Sequence, residues 1–498
     1  MKGLTVIFIY AALLLLILWW TSSDAEFLKT AGADTDYALQ PWIYDDSDTN
    51  WHRAHNFMYE TLSKHSYITF DLRYKAEPEY TFIPGKLVKF NCKDLADKAK
   101  EIKKVWKNNI QDLQEIVKQH ESGVIRASGG HHTFNDISIT QDTMIRTFNL
   151  KNVLNIDKEK KQITVESGIL LQDINLCLAD NDLALHTLPA IPFQSLGGVL
   201  STSSHGSRWN MGTMSQAIVE VTMVLADGSV RTFTEKDPEF TAVQVNLGCL
   251  GVVHSYTVQC VDLYAIEHTK KKKLWPDVIK KLDKYLDKYL FFQCYIKPDT
   301  DDLQTTIYLR KKVDPNKFSK KELSKDRDTN VKKLDYKVDY GMYVLTKNQE
   351  ASHYTEIEIA VPGEVFLEAI NDTIQLIKNY RQEFNWNYGR SILIRFTGAD
   401  TGLLSMTNGR ESVFINIFQA AKTAKDPLVL SLFRDFQNLL TSKYLGRPHW
   451  GKYNEMTPEL TEKVYGKANF DRFNAVRKQL DPNGIFSNDY VKRALGDV

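Results

Sequence analysis

Cysteine is scarce in this 498-residue sequence, and charge of neither sign is in excess. The five cysteines are scattered without a Cys-x-x-Cys pair, so their spacing indicates neither a disulfide framework nor a zinc site. Lysine and arginine number 63 against 62 acidic residues, a formal net charge of +1, which provides no global field that attracts nucleic acid. The Lys270–Lys273 run and the Lys/Asp-rich residues 313–336 contain few interleaved aromatic residues, and we interpret both as solvated faces. No nucleic-acid partner is therefore expected.

Long apolar runs are also missing, except for one at the N-terminus. Leu4–Trp20 is almost unbroken, and its length falls between the core of a signal peptide and a spanning helix. Its terminal tryptophans suit a membrane interface, which favours an uncleaved membrane anchor over residues 1–22. Lys2 before the run and acidic residues after it predict a single-pass protein whose body lies on the lumenal or extracytoplasmic side. The alternative is a signal peptide cleaved near Ala25, which would make the protein secreted.

The densest chemistry of the chain lies in the stretch from Arg126 to Asp136, which reads Arg-Ala-Ser-Gly-Gly-His-His-Thr-Phe-Asn-Asp. The apolar pair Val124-Ile125 before it predicts the end of a short strand. Ser128-Gly129-Gly130 permits a tight turn whose successive N–H groups form a nest for an anion, typically a phosphate. The spacing fits neither a dinucleotide fingerprint nor a P-loop. These residues alone are equally compatible with a phosphate-binding loop and with a polar surface loop.

As a pattern, this stretch resembles the flavin-attachment loop of the vanillyl-alcohol-oxidase-type FAD enzymes, and most of all their aldonolactone oxidase and alditol oxidase branch. In that branch a Gly-x-x-His-Ser-x-x-Asp-Ile pattern carries a histidine joined covalently to FAD. Counted back from Asp136-Ile137, the matching residue is His132, which implies covalent FAD there. His131 is expected either to contact the flavin or to support the loop. The other contacts with FAD that the resemblance implies in this loop are Ser128, Gly129, Gly130, Thr133, Asn135 and Asp136.

Two later segments resemble the second and third FAD-binding segments of the same family. Gly197-Gly198 opens a run of small residues that ends at His205-Gly206, and its backbone N–H groups suit phosphate. Leu247–Val253 resembles a Gly-rich turn that leads into a strand beside the flavin. The three segments stand in the family order, which argues against a chance resemblance. The cofactor contacts implied in these two segments are Gly197, Gly198, Ser201, Ser204, His205, Gly206, Gly248, Gly251 and Val253.

The C-terminal part carries the residues that the resemblance places in the substrate pocket. Arg447–Lys452 reads Arg-Pro-His-Trp-Gly-Lys and is followed by an Asp-Pro-x-Gly-x-Phe segment, the order in which lactone oxidases end. Arg395, in a strand-like run, and Lys452 are the predicted catalytic residues. A fixed guanidinium can hold a carbinol oxygen, and a lysine beside it can accept a proton. His449 is expected to contact the flavin or to support Lys452.

Two positions bear on the substrate. Asn416 stands where, by the resemblance, polyol oxidases have a histidine and lactone oxidases an asparagine, which favours a lactone. The family places a hydroxyl-reading glutamate two residues before the arginine, and that position is Leu393 here. Glu356 and Glu358 lie in another strand-like stretch and are not evident substitutes. Leu393 is therefore predicted to set the substrate preference, and Leu393→Glu to improve selectivity for sugar lactones over apolar alcohols.

The resemblance covers roughly residues 83–498 and implies an α+β fold. This fold has a two-part FAD-binding domain of mixed α/β subdomains and a C-terminal substrate or cap domain built on an antiparallel sheet with flanking helices. We expect the FAD-binding domain over residues 83–262. The cap domain, with a C-terminal flavin-contacting segment, is expected over 263–498. Residues 23–82 form an N-terminal extension with no functional interpretation, and alternation on either side of Ala226-Asp227-Gly228 predicts a β-hairpin.

The resulting expectation is an FAD-dependent oxidoreductase that acts on CH–OH donors. It oxidises a carbinol of a sugar-1,4-lactone-like substrate by hydride transfer to flavin N5, and oxygen or another electron acceptor reoxidises the flavin. Two alternatives stay open at this point. One is an FAD-linked oxidase or dehydrogenase of a polyol or less polar alcohol, and the other is a membrane-anchored flavin-binding protein without turnover. A metal ion is not expected.

Overall fold

The computed structural model describes residues 68–71 and 99–498 with short gaps, and it describes side chains from Asn109 onward. The gaps are residues 148–149, 319–322, 324–337, 347–353, 421–422 and 424–425. The predicted anchor over residues 1–22 lies outside the described residues, as does most of the predicted extension. Among the helices that the structure describes, none is long and apolar enough to cross a membrane.

The N-terminal body is a mixture of short strands and helices. Its strands are β1 (Ile68–Asp71), β2 (Ile125–Ser128), β3 (Thr143–Arg146), β4 (Val153–Asp157), β5 (Gln162–Glu166), β6 (Leu183–Ala184), β7 (Ile218–Val224), β8 (Val230–Thr234), β9 (Val252–Gln259) and β10 (Val261–Asp262). Its helices are α1 (Ala99–Lys118), α2 (Leu171–Asp180), α3 (Leu196–Ser201) and α4 (Phe240–Val243). A short 3-10 turn covers Met214–Ala217.

Two sheets organise this body. A parallel sheet has the order β1-β3-β2, and an antiparallel sheet has the order β4-β5-β9-β7-β8. The predicted hairpin is confirmed, because β7 and β8 pair and Gly228 takes the left-handed φ of 74° that the turn needs. Val165, Tyr256 and Val221 form a register row across the antiparallel sheet and are fully buried. Each such apolar side chain contributes about 1.5–3 kcal/mol to folding.

One cysteine differs from the sequence analysis, which gave no indication of a disulfide bond. Cys177, on α2, is disulfide-bonded, although the spacing of the cysteines gave no indication of it. Cys249, Cys260 and Cys294 are free and buried. Burial raises the pKa of Cys249 to about 11 and that of Cys260 to about 12, so these thiols behave as small apolar side chains at neutral pH.

The second body is built on one large sheet with flanking helices. Its strands are β11 (Ala265–Leu274), β12 (Phe291–Ile296), β13 (Gln304–Val313), β14 (Val338–Tyr340), β15 (Tyr354–Pro362), β16 (Ile392–Thr397), β17 (Ser412–Ala420) and β18 (Arg447–Pro448). Its helices are α5 (Trp275–Ile279), α6 (Leu282–Lys288), α7 (Gly341–Leu345), α8 (Phe366–Phe384) and α9 (Pro427–Tyr444), with a 3-10 turn over Pro315–Lys317. The sheet is antiparallel, in the order β14-β11-β13-β12-β16-β17-β15-β18.

The two faces of this sheet differ because side chains alternate along each strand. Ile359, Ile394 and Ile415 lie on one face, fully buried in a core shared with α8 and α9. The residues beside them in sequence, such as Glu358 and Arg395, lie on the opposite face, which we call the polar face. This face looks toward the N-terminal body and carries the candidate site.

The chain then returns to the N-terminal body. The last helices are α10 (Pro458–Tyr465), α11 (Lys467–Leu480) and α12 (Asp489–Leu495). Phe473 and Val491, from two of them, are fully buried in the core that also contains Val221. This return places the segment between β18 and α10 against the loop after β2. The predicted α+β fold is confirmed by this architecture.

Candidate active site

A cleft between the N-terminal body and the polar face has an empty volume of about 1330 Å³. This volume includes space that is open to solvent, and a concave pocket of this kind is the usual place for a small-molecule ligand. The predicted catalytic residues Arg395 and Lys452 line it. The predicted cofactor-binding residues that line it are Ser128, Gly129, Gly130, His131, His132, Thr133, Gly197, Gly198, Ser201, Ser204, His205, Gly248, Gly251, Val253 and His449.

The two adjacent histidines differ in their surroundings. His131 has a left-handed φ of 54°, and its ring nitrogens lie 3.1 and 2.9 Å from the hydroxyl oxygen of Ser128. Burial, with a smaller contribution from nearby Lys452, lowers the pKa of His132 to about 3, so the ring is neutral at physiological pH. The ring also hydrogen-bonds to the backbone of Phe193. His132 is therefore a neutral imidazole that lines the cleft.

The end of the loop holds the C-terminal segment in place. The Asn135 side-chain amide donates to the carbonyl oxygens of Trp450 and Lys452, over 2.7 and 2.6 Å. Asp136 is exposed, and its carbonyl accepts from the Asn488 amide over 3.0 Å. Neither Asn135 nor Asp136 lines the cleft, so the cofactor contacts expected of them are replaced by a structural role. The side-chain amide of Asn135 therefore holds the backbone of Lys452 in place.

Glycine positions explain how the cleft wall is built. Gly251 has φ 152°, and a Cβ there would lie 2.7 Å from the carbonyl oxygen of Val224, so only glycine fits. Gly206 does not line the cleft, contrary to expectation. A Cβ at Gly206 would lie 2.3 Å from the Thr187 hydroxyl oxygen and 2.8 Å from the Leu188 carbonyl oxygen. This glycine serves close packing rather than contact with a cofactor.

Glu358 is the centre of a buried polar cluster. Its carboxylate lies 3.9 Å from Nη1 of Arg395 and 3.6 Å from Nε2 of His205, and a ring nitrogen of His449 lies within 4.8 Å. Burial alone raises the pKa of Glu358, but the nearby Arg395 and His205 outweigh it, so the carboxylate is ionised. Neither carboxylate oxygen has a hydrogen-bond partner among the described residues. Glu358 therefore offers two open acceptors to a ligand in the cleft.

Lys452 forms the second cluster. It donates to the carboxylate of Glu356, and its Nζ lies 4.5 Å from the centre of the Phe134 ring. The other Glu356 oxygen accepts from the amide of Asn416 over 2.7 Å. Burial lowers the pKa of Lys452 to about 7, while the adjacent carboxylate favours the charged form. A proton can therefore move on and off this amine near neutral pH.

Four of the sequence interpretations change with these positions. Leu393 and Asn416 do not line the cleft: Leu393 is 6% exposed and Asn416 fully buried, and they face each other across β16 and β17. Glu356 and Glu358, which the sequence analysis did not regard as evident substitutes for the family glutamate, line the cleft instead. The signal that could have found them is the alternation in Glu356-Ile357-Glu358-Ile359, typical of a strand with one buried face.

The donor set at Glu358 does not suit a metal ion. His205 Nδ1 donates to the Gly206 carbonyl over 2.8 Å, which leaves Nε2 free as a ligand atom. His449 Nδ1 instead accepts from the Gly451 N–H over 3.0 Å, so its Nε2 carries the proton in the neutral ring. A metal-bound histidine normally donates its other N–H, which His449 cannot do here.

The cleft wall fits FAD. The wall on the N-terminal body consists of glycine and serine residues, which let backbone N–H groups approach phosphates. Ser138 lines this wall with a buried hydroxyl that has no hydrogen-bond partner among the described residues. Such a group is expected where a polar ligand completes the site. The neutral imidazole of His132 lines the same space.

Comparisons with known proteins agree with this geometry. Residues 321–494 match the family model described as D-arabinono-1,4-lactone oxidase, and residues 104–234 match the model of an FAD binding domain. An L-gulono-1,4-lactone dehydrogenase of Mycobacterium tuberculosis is 29% identical over 398 residues, which cover 75% of this chain and 90% of that protein. The L-gulonolactone oxidase of Mus musculus is 28% identical over 417 residues, which cover 78% of this chain and 93% of that protein.

Solved structures share the fold. A cholesterol oxidase from Brevibacterium sterolicum superposes with a TM-score of 0.65 at 16% identity, over 77% of this chain and 92% of that one. At this identity the likeness concerns the fold alone.

Proposed function

Because the chain is an FAD-dependent oxidoreductase of the aldonolactone oxidase group, we propose that it oxidises a carbinol of a sugar-1,4-lactone-like substrate. The observation that carries the proposal is Glu358, a buried carboxylate on the cleft wall with two open acceptor oxygens. A site built to accept hydrogen bonds from substrate hydroxyls discriminates strongly against compounds that lack them. Glu358 thus supports a hydroxylated substrate over an apolar alcohol, and oxygen is the proposed acceptor.

Arg395, Lys452 and Glu358 have distinct roles in the proposed reaction. Arg395 holds the carbinol oxygen, and its fixed charge stabilises negative charge that develops there. Lys452, held by Glu356, accepts the hydroxyl proton at Nζ. Glu358 accepts a hydrogen bond from a neighbouring hydroxyl and so fixes which carbon faces the cofactor. FAD, when bound, supplies the acceptor for the hydride that leaves the same carbon.

The cofactor is proposed to be attached covalently to His132. The support is the neutral ring of His132 on the cleft wall, because only a neutral imidazole has a nitrogen lone pair that can act as a nucleophile. His131 then supports the loop through Ser128. Attachment would hold the isoalloxazine at a fixed depth in the cleft.

Flavin absorbance tests the function directly. The purified protein should be yellow, and an aldono-1,4-lactone should bleach it without oxygen and restore the colour when air is admitted. A protein that binds flavin but is bleached by no lactone would contradict the proposal. Bleaching that persists after air is admitted would replace oxygen with another acceptor.

The location of the protein is a separate proposal. We propose that Leu4–Trp20 anchors it in a membrane with the catalytic body on the lumenal or extracytoplasmic side. The disulfide at Cys177 supports a lumenal or extracytoplasmic location of the catalytic body, because disulfides persist in oxidising compartments. The full chain should resist extraction from membranes by carbonate, and deletion of residues 1–23 should leave a soluble flavoprotein. A mature chain that starts near Glu26 would establish a cleaved signal instead.

A further inference from the structure

Arg310, on β13, is a buried cation that has no counterion among the residues that the structure describes. It is 6% exposed, and its Nε has no hydrogen-bond partner among the described residues. The ion pairs described on the polar face, Arg395–Glu358 and Lys452–Glu356, do not include it. Burial lowers the pKa of Arg310 to about 10, so it remains charged at neutral pH. A buried charge of this kind is strongly destabilising unless a partner of opposite sign joins it.

Donor and aromatic groups surround this guanidinium. It lies 5.5 Å from the centre of the Tyr308 ring, and Lys270 Nζ lies 5.5 Å from the same centre. His268 stands opposite Arg310 in the register of β11 and β13, and its ring centre lies 5.7 Å from that of Tyr308. The Nε2 atom of His268 is buried without a hydrogen-bond partner among the described residues. Arg310 and His268, which face each other across β13 and β11, thus each have a buried side-chain nitrogen without a hydrogen-bond partner among the described residues.

The neighbouring strands supply no neutralising acid. On β12, Phe291 pairs with Arg310 and is apolar. On β16, Arg395 is a like charge that lowers the pKa of Arg310 further. On β14, Asp339 stands opposite Ile266, two residue pairs along from His268 and Arg310, and accepts from the Tyr340 N–H. Among the described residues, the arrangement is thus cationic and contains no anion that neutralises Arg310.

We propose that Arg310 binds the oxygen atoms of a carboxylate or phosphate, with His268 as a neutral donor and Tyr308 as a flat wall. The planar guanidinium presents paired N–H donors that match either oxyanion. Burial lowers the pKa of His268 to about 4, so the imidazole donates a hydrogen bond without adding charge. Lys270, at the exposed edge, attracts the anion toward the subsite.

The subsite and the substrate end of the cleft lie on the same face of the sheet. Arg395 on β16 pairs with Gln293 on β12, which pairs with Tyr308 on β13, and Arg310 lies two residues beyond Tyr308. Two strand spacings and two residues along the strand place the Cα atoms of Arg395 and Arg310 about 12 Å apart. Tyr295 lies between them, since its ring centre is 5.5 Å from that of Tyr308 and it pairs with Leu393, two residues before Arg395. A carbinol held at Arg395 could thus belong to a molecule whose acidic group reaches Arg310. This extension rests on the proposed function, whereas anion binding itself does not.

Thermal unfolding of the holoprotein tests the subsite without turnover. Sodium phosphate and D-galactonate are titrated, with sodium chloride at equal ionic strength and neutral galactitol as references. We expect a saturable rise in Tm with phosphate, galactonate or both, and no rise with either reference compound. A response to phosphate alone identifies a phosphate subsite, and a response to galactonate alone identifies a carboxylate subsite. The chloride reference removes non-specific screening.

Variants of Arg310 test whether the rise in Tm with an oxyanion depends on this residue. Arg310→Met should weaken the apparent Kd for the oxyanion by about 10-fold or more, the scale of a lost charged hydrogen bond. It should not lower the Tm without anion, because it removes an uncompensated charge. Arg310→Gln tests the same loss if the methionine variant fails to fold. Arg434→Met, at an exposed arginine paired with Glu455, should keep the response.

Two results would overturn the subsite. One is a wild-type protein whose Tm does not respond to either oxyanion. The other is a response that Arg310→Met or Arg310→Gln retains at full affinity. Because neither readout involves lactone oxidation, a failure of the proposed reaction would leave these results unaffected.

Discussion

Nη1 of Arg395 lies 3.9 Å from Oε1 of Glu358, although strand β17 separates β16 and β15, which carry them. Both side chains reach across the polar face above Asn416, which pairs with Leu393 on one side and with Glu358 on the other. The carboxylate that the resemblance led us to seek at position 393 is thus supplied two strands away. The cation and the acceptor meet by sheet register rather than by adjacency in sequence.

Glu358→Gln should therefore impair the use of hydroxylated substrates. Loss of the charged acceptor is expected to lower kcat/KM for an aldono-1,4-lactone by about 10-fold to 100-fold, the range of a charge-assisted hydrogen bond. The rate with an apolar alcohol should change little. Stopped-flow reduction with both substrates measures the ratio.

Leu393→Glu is the matched test. We now expect no gain in lactone selectivity, because the new carboxylate adds a like charge to a face that already holds Glu356 and Glu358. Improved selectivity in this variant, with an unaffected Glu358→Gln variant, would restore position 393 as the one that reads substrate hydroxyls.

Lys452→Met should slow flavin reduction by about 10² or more while FAD remains bound, the usual scale for losing a positioned base. In the parent protein the rate should rise with pH through about 7, because only the neutral amine can accept the proton and burial lowers the pKa of Lys452 to about 7. The rise should disappear in the variant. A parent profile that is flat from pH 6 to 8 would remove Lys452 as the base.

His132→Ala should abolish covalent flavin. After acid denaturation and gel electrophoresis, fluorescence should stay with the parent polypeptide and be absent from the variant. His131→Ala, the control, should retain it, since that ring is held by Ser128. The reverse pattern would move the attachment to His131.

Asn135→Ala should lower both stability and activity. Two buried carbonyls, of Trp450 and Lys452, each lose one of their donors, which together costs about 1–3 kcal/mol, and Lys452 loses part of the support that holds its position. Asn488→Ala removes donors to the Ile137 and Ile139 carbonyls and should lower Tm but leave the reduction rate nearly unchanged. Equal losses of rate in both variants would mean that Asn135 acts only on stability.

His449 should make the protein sensitive to acid. Burial lowers the pKa of His449 to about 3, so its contribution to stability is full above the unfolded value of about 6.5 and is lost as pH falls. Below pH 6.5 this loss amounts to about 1.4 kcal/mol per pH unit. His449→Gln should show a shallower decline between pH 6.5 and 5 in denaturant titrations. An identical slope would mean that His449 does not titrate on unfolding.

The sequence was most informative where chemistry is local. The loop at Ser128–Asp136 could be placed because its turn and its histidines are contiguous, and the hairpin at Gly228 because a tight turn has a short signature. Register is not local: which residue of β15 faces which residue of β16 depends on a strand inserted between them. Glu358 was therefore missed. Arg310 was missed for the same reason, since nothing near it in sequence marks it as unpaired.

Residue roles within a motif were harder to predict than the motif itself. Asn135 and Gly206 belong to segments that line the cleft, yet each is used for packing or for holding another segment. A family pattern records which residues a site needs, without separating contact with the ligand from support of the residues that make contact. Only the position of each side chain makes that distinction.

The clamp between Asn135 and the carbonyls of Trp450 and Lys452 joins residues more than 300 positions apart. During synthesis the loop that carries His132 emerges from the ribosome long before its partner segment does. At 5–20 residues per second, the interval is roughly 15 to 60 seconds. For that time the nascent chain has His132, the proposed attachment site, but not Lys452, which lies near it in the folded protein. Acquisition of the cofactor is thus expected to be post-translational, and ribosome-bound chains stalled before Arg447 should carry no covalent flavin.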